Sequence, residues 1–127
     1  MVINLKEFMD RRKLPRFIAQ NGAYAAINND SLKVGQIQNI SKGGLALRYL
    51  DNGKQTEGPH KVDIFVSDND FYLKNLPVKI ISDVYIDSKI PFSTTSIRQC
   101  SGQFAELTPS QLFQLDHFLK FYTLDKA

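Results

Sequence analysis

Apolar residues in this chain recur mainly at every second position, and the alternation stops wherever Gly, Asn, Asp, Ser and Pro cluster. A period of two is the mark of a strand with one buried face. Phe17 to Ile27, rich in β-branched, aromatic and small residues, reads as the first strand, and Asn28-Asn29-Asp30-Ser31 as a turn. Leu32, Val34 and Ile37 continue the pattern to Ile40, with a phase slip before Ile40. After Gly43-Gly44 the alternation resumes strictly at Leu45, Leu47 and Tyr49. Asp51 to Pro59 is a polar loop, followed by Val62, Ile64 and Val66, then a turn at Ser67-Asp68-Asn69-Asp70. Phe71 to Leu73 predicts a short strand. Val78, Ile80, Val84 and Ile86 predict a longer one with a bulge near Ile81-Ser82. Beyond a loop at Asp87 to Pro91, Thr94 to Leu107 reads as a long strand with Ile97, Phe104 and Leu107 facing the core.

The period then changes to that of a helix. Thr108-Pro109-Ser110-Gln111 has the form of a capping box, with Thr at the N-cap, Pro at the first helical position and Gln at the third. Leu112, Leu115, Phe118, Leu119 and Tyr122 form one apolar stripe. About six short strands followed by one helix indicate an all-β domain, an antiparallel barrel or closed sandwich, with the helix over an open end or edge. At the other terminus, residues 1–10 read as an arm or short helix in which Leu5, Phe8 and Met9 lie about one turn apart. Pro15 ends any helix by the residue before it, so residues 11–127 form the domain proper.

Composition fits one folded domain. The chain has 127 residues, 43% of them hydrophobic, with nine Phe and five Tyr, enough apolar material for a core. It begins with Met and is expected to be a stand-alone domain. A single cysteine, Cys100, excludes an internal disulfide framework and a cysteine-based zinc cluster, and is expected to be a packing residue in a reducing compartment. No secretory leader and no run of about 18 apolar residues is present, so a cytoplasmic protein is expected. His60, read as loop, and His117, read as helix surface, lack partners at metal-ligand spacing. No catalytic constellation stands out, and the chain is not expected to be an enzyme.

The net charge of +3 is modest, but it is unevenly placed. Arg11-Arg12-Lys13-Leu14-Pro15-Arg16 holds three of the five arginines and no acid. Guanidinium donates in a fork to phosphate or to the O6 and N7 edge of guanine. Twenty-three positions after Arg16 comes Asn39-Ile40-Ser41-Lys42-Gly43-Gly44. Asn39 both donates and accepts, Ser41 adds a hydroxyl, and Gly43 and Gly44 permit positive φ and close approach of backbone to a ligand. Taken separately, the first segment also reads as a solvated basic run and the second as an ordinary turn.

Together, in this order, the segments match RxxxR followed by (D/N)xSxxG, and the chain resembles the PilZ domains, bacterial receptors for cyclic di-GMP. The run from Arg98 to Leu107 is also similar to the last long strand of that family. The resemblance spans residues 8 to 122. It implies a six-stranded antiparallel β-barrel with cyclic di-GMP on its outer surface. Arg12 and Arg16 would grip phosphates and guanine, and Asn39, Ser41 and Gly44 would read the second guanine and shape the turn. Asn39 replaces the more frequent Asp, which keeps an acceptor but removes a charge. In the family an arginine before RxxxR, here Arg11, tends to accompany a stacked ligand pair. Arg98, on the long strand, is either a further ligand contact or a surface arginine. Tyr85 either stacks on guanine or is a half-buried strand residue.

The implied function is a receptor whose basic arm moves onto the barrel when ligand binds and signals to a separate effector protein. The alternatives are a protein-only adaptor of the same fold and a single-stranded nucleic-acid-binding barrel. Concentration of charge in one short segment disfavours nucleic acid.

Overall fold

The computed structural model describes residues 14–28, 33–50, 59–67, 70–86 and 96–127. The expectations for the arm, for Arg11 and Arg12, and for most of the loops around 30, 55 and 90 lie outside those residues. Among the described residues are eight strands and one helix: β1 (Phe17–Ala19), β2 (Ala23–Asn28), β3 (Lys33–Ile40), β4 (Gly44–Leu50), β5 (Pro59–Val66), β6 (Tyr72–Ile86), β7 (Ile97–Phe104), α1 (Pro109–Phe121) and β8 (Thr123–Lys126).

Strands β2-β5-β6-β7-β4-β3 pair in that order, and β3 pairs back onto β2, so six antiparallel strands close into a barrel. The expected barrel is present. Closure leaves no free edge within the six. β1 and β8 extend the sheet outward from β3. The alternating residues Ile37, Leu45, Leu47, Tyr49, Val62, Ile64, Val66 and Cys100 point inward and make one core. Leu115, Phe118 and Leu119 of α1 belong to the same cluster, so the helix seals the end of the barrel where β7 finishes and β6 begins.

Several local readings change. Phe17 to Ile27 is two strands, because Gly22 turns the chain with φ +88°. Phe71 to Ile86 holds one strand where two were expected. Asn75 takes φ +61° inside it, and Val62↔Leu76 gives way to Ile64↔Leu73, a bulge opposite Asp63. The Asp63 carboxylate accepts from the Asn75 amide at 2.8 Å, which satisfies the donor the bulge removes from the ladder. A second register shift lies between Ile80 and Ser82, at the expected bulge. The phase slip before Ile40 is a third, between Ile37 and Asn39. His60 lies in β5, not in a loop. β8 was not anticipated. Its four residues, Thr-Leu-Asp-Lys, are too short and polar to signal a strand, and pairing with β1 makes them one.

The capping box is present in full. Gln111 N donates to the Thr108 hydroxyl at 3.1 Å, and Thr108 N to the Gln111 side-chain carbonyl at 2.9 Å. The Gln111 amide also donates to the carbonyls of Lys74 and Asn75, which ties the start of α1 to the bulge in β6. Of the predicted stripe, Leu115, Phe118 and Leu119 are buried, Tyr122 is partly buried, and Leu112 is exposed.

Candidate functional site

The two sequence segments meet through β1. Phe17 lies opposite Ile40 and Ile18 opposite Asn39, so Arg16 falls one position before this pairing and Ser41 one position after it. Residues two apart on a strand share a face. Arg16 and Ile18 are both exposed, and Asn39 sits half-buried across from Ile18 on the outer face of the barrel. The terminus fixes this placement, since Ala127 N donates to the Arg16 carbonyl at 2.8 Å.

The β3–β4 turn is closed by its own side chain. Ser41 N donates to the Gly44 carbonyl at 2.8 Å, and the Ser41 hydroxyl accepts from Gly43 N at 3.0 Å. Leu14 packs over this turn against Gly43. Lys42 points outward and pairs with Asp116 of α1 at 3.3 Å. Between Leu14, Pro15, Phe17, Lys42 and the α1 residues Asp116, Leu119 and Lys120 lies a cavity of about 370 Å³ with a mostly apolar lining.

The positive φ expected for the two glycines is corrected. Neither has positive φ; among described glycines only Gly22 does. A Cβ on Gly44 would collide with the carbonyl oxygen of Gly102, so the close approach that demands glycine is to strand β7. Gly43 has room for a Cβ except against the movable tip of Leu14.

Arg98 is not displayed on the barrel surface. It is 6% exposed and turned inward beside Tyr49, its partner across β4 and β7. Its Nε donates to Asp83 Oδ1 at 2.9 Å, and one terminal nitrogen to the Asp83 carbonyl at 3.0 Å. The Tyr49 hydroxyl lies 2.7 Å from both Asp83 carboxylate oxygens. Lys33, also buried, stands over the Tyr49 ring at 5.1 Å. Tyr85 is largely exposed, not half-buried as expected, and its ring covers the Arg98 guanidinium at 4.2 Å. The hydrogen bond to Asp83 raises the Arg98 pKa against the opposing effect of burial, so the cation is held charged. Next to this knot the Cys100 thiol is fully buried. Burial, and then the Asp83 charge, push its pKa up to about 12, so it is a packing residue with no nucleophilic thiolate at neutral pH.

Arg16, Asn39, Ser41, Gly43 and Gly44 are thus brought together at one end of the barrel. Arg98 belongs to the opposite end, where β6 finishes and β7 begins. The interior knot was missed from sequence. Asp83 stands in the run Ile81-Ser82-Asp83-Val84-Tyr85-Ile86, and only the Asp83↔Cys100 and Tyr85↔Arg98 register reveals its partner. Among described residues no three or more His, Cys, Asp or Glu side chains are grouped to hold a metal ion. None of their helices is long and apolar enough to cross a membrane.

Comparison with solved structures defines the class of fold, that of a PilZ-like domain. The chain is similar to the PilZ domain of YcgR from Escherichia coli with c-di-GMP, with a TM-score of 0.67 and 16% identity over 87% of this chain and 89% of that one. It is also similar to MrkH of K. pneumonia in its c-di-GMP complex (TM-score 0.65, 17% identity, 87% and 51% covered). A third similarity is to the PlzA protein of Borreliella burgdorferi in complex with c-di-GMP (0.56, 15%, 92% and 56%). The chain therefore spans about half the length of MrkH and of PlzA, and nearly all of the YcgR domain. No family model matches the sequence, and no curated protein does.

Proposed function

We propose that this protein is a non-enzymatic receptor for cyclic di-GMP. The observation that carries the reading is the β1–β3 pairing, which brings Arg16 beside the Ser41–Gly44 turn although the two are far apart in sequence. The solved neighbours named above, bound to c-di-GMP, support it at the level of fold. In this reading Arg11, Arg12 and Arg16 hold the phosphates and a guanine edge through charge-assisted hydrogen bonds. Asn39 reads the other guanine, and Ser41, Gly43 and Gly44 keep the turn in the shape that lets the ligand approach. Arg98 drops out of the ligand set, because Asp83 and Tyr85 already occupy it.

Binding draws the basic arm onto the barrel, and the resulting surface signals to a separate effector. Arg11 favours a stacked ligand pair over a single molecule. The test is isothermal titration calorimetry with cyclic di-GMP, alongside Arg12→Ala and with linear pGpG and cyclic di-AMP as controls. Selective heat that falls at least about tenfold in affinity in the variant supports the receptor, and the molar ratio reports one ligand or two. Absence of heat with cyclic di-GMP overturns the receptor and leaves the protein-only adaptor.

A further inference from the structure

The outer face of α1 carries an aromatic stripe that nothing among the described residues covers. Phe113 is 76% exposed and Phe121 64% exposed, with the exposed His117 between them. The three stand at i, i+4 and i+8, one ridge running about 12 Å along the helix. Two of the three rings are held in place. The His117 and Phe121 rings lie 4.6 Å apart, and His117 stacks nearly parallel on Phe71 at 6.1 Å. Preordered aromatic side chains lose little freedom on docking.

We propose that this face pairs with the same face of a second copy of the chain, as an antiparallel helix pair with its twofold axis at His117. Two properties of the stripe favour a copy of itself over an unrelated partner. First, Phe-x-x-x-His-x-x-x-Phe reads the same in both directions. An antiparallel pairing about His117 sets Phe113 of each copy against Phe121 of the other. Ridges of i±4 spacing interdigitate in this way at a crossing of about −50°. Second, the flank is self-complementary in charge. Asp116 and Lys120 lie on the same side of the stripe, and the twofold axis keeps them on the same side. Asp116 of each copy thus meets the neighbourhood of Lys120 of the other, as an isologous contact requires.

The two phenylalanines expose on the order of 200–300 Å². That is well below the roughly 800 Å² that a standard interface takes from each partner. The pair is therefore a reversible dimer. It does not depend on the nucleotide reading and is tested without ligand.

Sedimentation equilibrium on the intact protein, from about 5 µM to about 500 µM, should show the mass rising from monomer towards dimer. Phe113→Asp should remain monomeric across the range, with a circular dichroism spectrum and melting curve like the parent. Phe121→Asp serves in its place if that variant fails to fold. His117→Cys locates the axis, since under mild oxidation it should form a disulfide-linked dimer. A cysteine placed at the exposed Gln103 on β7 should not, and the buried Cys100 does not compete. Monomeric mass at every concentration overturns the proposal. So does a dimer that survives both charged substitutions, or crosslinking no better at 117 than at 103.

Discussion

The two ends of this barrel each place an arginine beside short polar side chains, and they use it in opposite ways. At the far end Arg98 is buried, bonded to Asp83 and roofed by Tyr85, so its charge is spent on holding β6, β7 and β4 together. At the helix end Arg16 is exposed, beside a turn whose polar atoms are ordered by Ser41. A guanidinium inside a barrel must be neutralised to stay there, because an unpaired buried charge is too costly to keep. One on the surface has no such obligation and remains available to a phosphate. Burial and pairing, not residue type, decide whether an arginine is committed to the fold or left open to a ligand.

That contrast is most strongly tested at Asp83. Replacing it with Ala leaves the Arg98 charge buried without its carboxylate, and about 3–5 kcal/mol of stability should be lost in urea unfolding. Asp83→Ala protein that still folds in mild conditions should bind nucleotide with nearly the parent affinity. Loss of binding by a well-folded Asp83→Ala would join the two ends and break the distinction.

Arg16→Ala should behave the other way round. Its melting temperature should match the parent, while cyclic di-GMP affinity should fall about tenfold, or about 1.4 kcal/mol. A drop in stability with no change in affinity would make Arg16 structural as well.

The thiol beside the knot gives a pH readout. Cys100 is protonated in the fold up to about pH 12, against an ordinary value near 9. Between these values the unfolded chain has released a proton that the folded chain keeps, so stability falls as pH rises. From pH 9 to pH 10 the expected loss is about 1 kcal/mol, absent in Cys100→Ala at matched temperature. Below about pH 8 the slope should vanish, and a thiol-alkylating reagent should modify native protein far more slowly than unfolded protein.

The smallest effect is expected at the helix start. Thr108→Ala removes the acceptor for Gln111 N, and should lower stability by about 1 kcal/mol without touching either arginine. If it weakened nucleotide binding, α1 would be part of the site through the Lys42–Asp116 contact and not only a cover for the core.

Much of this architecture was legible because it depends on local rules. Strict alternation at Leu45, Leu47 and Tyr49 gave β4, and the phase slip before Ile40 marked a true register shift. Thr108-Pro109-Ser110-Gln111 placed the start of α1 to the residue. What escaped depends on partners distant in sequence. β8 exists because β1 is there to pair with it. Asn75 stays within a strand because Asp63 caps its amide from across the ladder. At the candidate site the sequence identified the residue types that meet, but the positive φ it suggested for Gly44 is absent. The constraint on Gly44 comes from Gly102, 58 positions away. Arg98 was misjudged for the same reason, since its burial is decided by Asp83 and the strand register.

The central claim is that nucleotide engages the helix end at the Ser41–Gly44 turn and leaves the Arg98 knot alone. Two-dimensional ¹H–¹⁵N spectra recorded during a cyclic di-GMP titration test it directly. The account predicts large shifts at the amides of Arg16, Asn39, Ser41, Gly43 and Gly44, with those of Asp83, Arg98 and Cys100 nearly unmoved. Shifts concentrated at Asp83, Tyr85 and Arg98, with the turn unchanged, would contradict it.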